Sequence, residues 1–102
     1  MIDELFEKIL ELSEQKKINW EKNVMSENSF KAQLKDFTIY IIPSAGDFFF
    51  IIINGNGDEI GRLSSSDYVF DSKFREMCDL ARRRALKIDE SFNEINSLLD
   101  SL

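Results

Sequence analysis

The side chains that do chemistry are sparse in this chain. Histidine is absent, which removes the commonest general base and the commonest metal ligand together. Cys78 is the single cysteine. A nucleophilic thiol needs an activating neighbour, and Cys78 falls on the apolar stripe of an expected helix, the setting of an inert buried thiol. Zinc and iron-sulfur centres require more cysteine or histidine than is present. Asn54-Gly55-Asn56-Gly57-Asp58-Glu59 combines glycines with carboxylates, but a calcium loop starting there would place Glu59 and Ser65 where a glycine and an acidic ligand belong. The spacing of Gly55, Gly57 and Gly61 also fails the dinucleotide pattern, and a strand rather than a helix follows. Asp58 and Glu59 are adjacent on a strand, so they point to opposite faces and do not share a substrate. The expectation is a non-enzymatic protein with no catalytic residue, no metal and no cofactor.

Charge is concentrated in two places. Glu4, Glu7, Glu11 and Glu14 recur at helical spacing in a chain of net charge −6 and isoelectric point near 4.6. Such a carboxylate ridge can stand in for phosphates on a basic partner. Arg82-Arg83-Arg84 and Lys87 make the region from Arg62 to Lys87 locally basic, a feature able to grip a phosphate backbone or an acidic protein face. Three consecutive residues fan around a helix, however, and Asp79 is spaced to pair with Arg82 or Arg83. The overall acidity opposes anionic polymers and anionic lipid, so direct nucleic-acid binding ranks last among the expected partners.

The elements that must carry these residues are legible from periodicity. Ile2, Leu5, Phe6, Ile9 and Leu12 mark an amphipathic first helix. Trp20 follows and reads as a plug at a core edge, or as a binding-site ring; residues 21 to 28 have no period and are expected to be loop. A meander starts near Ser29. Phe30, Ala32 and Leu34 alternate with Lys31 and Gln33, the pattern of an edge strand. Phe37 to Ile42 is next and is expected to stop at Pro43. Phe48-Phe49-Phe50-Ile51-Ile52-Ile53 is apolar on both faces, and Asn54-Gly55-Asn56-Gly57 is a hairpin signal. In the last strand, Ile60 and Leu63 have opposite parity, which predicts a bulge near Gly61. Asp67 or Asp71 can cap a helix striped by Phe70, Phe74, Met77, Cys78, Ala81 and Ala85. After a break at Ile88-Asp89, a final helix carries Phe92, Ile95, Leu99 and Leu102. The fold class expected is therefore α+β, one domain over 1–102: an N-terminal helix, a four-stranded antiparallel meander and two C-terminal helices.

The segment from Leu80 to Ile95, Leu-Ala-Arg-Arg-Arg-Ala-Leu-Lys-Ile-Asp-Glu-Ser-Phe-Asn-Glu-Ile, together with Lys16-Lys17-Ile18-Asn19-Trp20, resembles a loose group of small bacterial proteins. That group has an acidic leading helix, a tryptophan-led meander and a closing helix pair. It often has Gly or Asn where Lys87 stands, residues suited to a left-handed helix cap. The resemblance implies a bacterial source and this architecture, and it brings no activity.

No apolar run approaches the roughly 20 residues of a membrane span, and the acidic N-terminus is unlike a basic signal peptide. A single cysteine fits a reducing compartment, so a cytoplasmic protein is expected. The two central strands carry the functional expectation. Phe37, Ile39 and Ile41 take one face of the sheet, while Tyr40 and Ile42, with Phe49 and Ile51 of the next strand, take the other. An antiparallel sheet covered on one side should alternate with polar residues, so either helices cover both faces or another chain buries one; the face of Tyr40, Ile42, Phe49 and Ile51 is the expected self-association surface of a homo-oligomer. The leading expectation is a protein-interaction module. The alternative is an acidic inhibitor acting through Glu4, Glu7, Glu11 and Glu14.

Overall fold

The computed structural model describes residues 1–66 and 71–102, and of Asp71 only the backbone. Helix α1 (Ile2–Glu14) leads into strands β1 (Glu21–Lys22), β2 (Phe30–Leu34), β3 (Phe37–Ser44), β4 (Asp47–Ile53) and β5 (Glu59–Ser64), then helices α2 (Asp71–Leu86) and α3 (Ile88–Asp100). The strands form one antiparallel sheet in the order β1-β2-β3-β4-β5. The α+β meander is as expected, but the sheet has five strands rather than four. Glu21 and Lys22 pair with Lys31 and Phe30, closed by the Asn23 amide donating to the Ser29 carbonyl. A two-residue, wholly exposed strand has no alternation to read, so β1 was hidden in an expected loop, and β2 is not the edge. Of the expected cap and stripe, Asp67, Phe70 and the side chain of Asp71 lie outside the described residues.

Local chemistry explains most of the remaining boundaries. Strand β3 runs on through Pro43 to Ser44 instead of stopping. Pro43 stands opposite Phe48, beyond the last β2–β3 pair at Phe30 and Ile41, so its missing N–H faces the side where β2 has ended. The β3–β4 turn uses left-handed Ala45 and Gly46, a pairing matched to strand twist. In the β4–β5 loop the positive φ belongs to Gly57, while Asn54 Oδ1 accepts from the amides of Asn56 and Asp58. The ladder passes from Ile52–Gly61 to Ile53–Glu59, leaving Ile60 as the extra residue of a bulge beside Gly61.

Both α1 and α2 lie on one face of the sheet. Phe6 is fully buried between Phe50, edge-on at 5.2 Å, and Phe74, stacked at 4.5 Å. Around these rings pack Ile9, Leu10, Ile18, Phe30, Ala32, Ile39, Ile41, Ile52, Met77 and Ala81. Trp20 seals this core, as one of its two readings held: it is buried, and its Nε1–H donates to Ser13 Oγ at 2.9 Å. Ser13 in turn donates to the Ile9 carbonyl, so the buried polar atoms are satisfied. Gly61 lets α1 sit close on β5, since a Cβ there would lie 2.8 Å from Ile2 Cδ1.

Helix α3 is different. One residue, Lys87, separates it from α2, and that residue adopts a left-handed conformation at φ 52° and ψ 47°. None of its residues is buried, and it gives the molecule a long axis of 52 Å against 30 and 25 Å.

Candidate interaction surfaces

The four glutamates of α1 lie along one ridge, but they are not equivalent. Glu7 and Glu14 turn towards α2. Glu7 accepts from Lys73 Nζ at 2.6 Å. Glu14 shares a hydrogen bond with Glu76, which raises the Glu76 carboxyl above its ordinary value, because two carboxylates at contact hold a proton between them. Glu4 and Glu11 line the same shallow depression, with Lys8 and Lys73 among them. The ridge is thus partly neutralised along its α2 side.

The arginines are split rather than gathered. Arg83 donates to Asp79 at 3.2 Å and to Asp89 at 3.5 Å, so the expected pairing with Asp79 is made by Arg83. Arg82 faces a hollow with Phe30, Phe48 and Cys78. Arg84 faces the opposite side, towards Trp20 and Glu90. Arg82 thus stands apart, while Arg83 and Arg84 share a hollow with Lys16, in which Glu14, Asp89 and Glu90 oppose their charge, in keeping with the fan of three consecutive helical residues. Cys78 is half-buried, with burial pushing its thiol up, the direction of an unreactive cysteine. Among the described residues no group of carboxylates and cysteines is arranged to hold a metal ion, and no helix is long and apolar enough to cross a membrane.

The sheet face opposite the helices gathers the residues expected there. Tyr40 pairs directly with Ile51, and Ile42 with Phe49, so the four make one patch of two cross-strand pairs. No described element covers it. Ile51 is nevertheless buried by its neighbours, and Tyr40, Ile42 and Phe49 are only part-exposed. Arg62 spreads over the Phe49 ring at 5.4 Å, held by Glu59 at 2.6 Å, and this stacking covers one corner of the patch.

Two further surfaces are more exposed. The first is the stripe of α3: Phe92 is 63% exposed, Ile95 50%, Leu98 61% and Leu99 58%, with Leu102 entirely open. Their spacing of three and four puts them on one face. The second is a groove of about 290 Å³ between α1 and the sheet, on the side of α1 away from α2. It is lined only by Leu5, Ile9, Leu34, Phe37, Ile39, Ile52 and Ile60. Leu5, Leu34, Phe37 and Ile60 are exposed in it. Reading the sequence placed the α3 stripe but missed the groove. The strand pattern puts Leu34 and Phe37 on the face that packs on the core, yet at the β2–β3 end they stay exposed beside Leu5 and Ile9 of α1. The sole signal was the bulge, which brings Ile60 to the groove rim.

No protein-family model, no curated protein and no solved structure matches this chain.

Proposed function

We propose that this chain is a non-enzymatic protein-interaction module that self-associates through apolar surface its own elements leave uncovered. The observation that carries this reading is α3: a 13-residue amphipathic helix whose Phe92, Ile95, Leu98 and Leu99 face solvent in one stripe, continued by Leu102 just beyond it. Five such side chains expose on the order of 500 Å² of apolar surface, at the level where patches on monomers mark interaction sites. The sheet patch of Tyr40, Ile42, Phe49 and Ile51 is the lesser candidate, because in-plane neighbours and Arg62 already cover much of it.

The test is molar mass by light scattering on a sizing column for the native chain and two variants. Leu99→Glu places a charge in the stripe and is expected to give the monomer mass, whereas Ile42→Lys on the sheet face is expected to leave the oligomer intact. A native chain that is monomeric at high concentration removes the proposal, and dissociation by Ile42→Lys alone moves the surface to the sheet.

A further inference from the structure

The groove and the stripe are complementary. Three observations bear on what fills the groove. Helix α1 crosses the sheet with α2 packed on one flank, where Phe74 stacks on Phe6, and with nothing described on the other flank, where Leu5 and Ile9 overhang the sheet. The helical layer thus has two members and an apolar slot for a third. Helix α3 is as long as α1, 13 residues each, and has the stripe such a third member needs. The stripe segment carries Asp89, Glu90, Glu94 and Asp100 with no lysine or arginine, while Lys35 directly follows the groove residue Leu34 in the β2–β3 turn, with Asp36 and Glu59 the opposing charges.

We propose that the groove of one copy is the seat for α3 of a second copy, in a reciprocal two-fold exchange. This inference rests on the self-association reading above. The chain's own α3 is held away from its groove. Lys87 is the whole linker, and Asp89 ties the start of α3 to Arg83 at 3.5 Å and to Lys16 at 3.9 Å. A hinge of one residue, strained in a left-handed conformation that favours glycine, is the geometry from which helices exchange between copies. Area separates this arrangement from a simple pairing of two α3 stripes. Stripe against stripe uses about 500 Å² per chain. Seating each stripe in a groove adds the exposed parts of Leu5, Leu34, Phe37 and Ile60, reaching about 800 Å² per chain, the size of a stable standard interface.

Two experiments decide it. In the first, Phe37→Glu and Leu99→Glu are each sized by light scattering, with circular dichroism confirming the fold. Both are expected to be monomers. Loss of the oligomer with Leu99→Glu but not with Phe37→Glu overturns the groove while leaving the self-association reading standing. In the second, with Cys78→Ser as background, a protein carrying Phe37→Cys is mixed with one carrying Leu99→Cys and oxidised. The expected product is a disulfide-linked pair containing one of each, in at least tenfold excess over linked Leu99→Cys pairs. Dominant Leu99→Cys homodimers overturn the proposal in favour of stripe-to-stripe pairing. Linkage within one chain in the doubly substituted protein at high dilution overturns it in favour of α3 closing on its own groove. An oligomer that yields no linked product overturns it as well.

Discussion

Helices α1 and α3 make a natural comparison within one chain. Each has 13 residues, acidic side chains in its first turn and apolar residues every three or four positions. In α1 most of the stripe is consumed: Phe6, Ile9 and Leu10 are buried and Ser13 is tied to Trp20, while Leu5 stays exposed over the groove. In α3 no residue is buried. The same pattern therefore leads to opposite outcomes, because periodicity encodes a face that can be buried and says nothing of what buries it. What decides is tethering. Helix α1 is held at both ends, by Ile2 over Gly61 and by the Ser13–Trp20 hydrogen bond, whereas among the described residues α3 is held at its first turn by the Asp89 ion pairs.

The sharpest way to break the comparison is to truncate one aromatic ring in each helix. Phe6→Ala leaves a hole between two rings and is expected to cost about 3–5 kcal/mol in chemical denaturation. Phe92→Ala, measured at concentrations too low for association, is expected to stay within about 0.5 kcal/mol of the native chain. Should Phe92→Ala cost as much as Phe6→Ala under those conditions, α3 is packed within its own chain. A smaller effect probes the anchor of α1. Ser13→Ala removes the acceptor of the buried Trp20 N–H and is expected to destabilise by about 1–3 kcal/mol, with a change in tryptophan fluorescence reporting the lost bond.

Smaller again is the linker. Lys87→Gly relieves the left-handed strain and is expected to stabilise α2 and α3 by up to about 1 kcal/mol, seen as a higher thermal midpoint. The smallest effect belongs to the seam between α1 and α2. The Glu76 carboxyl is raised in the folded chain by its bond to Glu14. A group whose folded value exceeds its unfolded value contributes stability at low pH and loses it as pH rises through the folded value. Glu76→Gln is therefore expected to melt slightly higher than the native chain at neutral pH, with the difference fading as pH falls through the carboxylate range. A constant difference across that range would mean that the carboxyl pair does not form.

Most of the fold was legible because most of its elements are strongly periodic or strongly punctuated. The run Phe48 to Ile53, the glycine-bearing turns and the three amphipathic helices all announce themselves locally. Two features did not. Strand β1 is two exposed residues whose pairing depends wholly on where β2 lies, and Pro43 stays in its strand only because β2 ends early. Site residues follow the same division. Tyr40, Ile42, Phe49 and Ile51 share a face by parity alone, and Glu4, Glu7, Glu11 and Glu14 share a ridge by helical spacing. The groove was invisible because it joins α1, β2, β3, β4 and β5, and no local pattern states the angle at which a helix crosses a sheet.

The position of Phe6 also sets an order of events. Its ring is clasped by Phe50 from the middle of the meander and by Phe74 from α2, and Glu7 beside it bonds to Lys73, 66 residues further on. Helix α1 is synthesised before the sheet and α2 and is one of the last of these elements able to dock, since its seat is complete only when α2 exists. Contacts of such long sequence separation slow folding and make it cooperative. Until α2 arrives, the apolar face of α1 and the helix-side face of the meander remain open together, so the nascent chain passes through a stage in which its largest buried surface is still a sticky one.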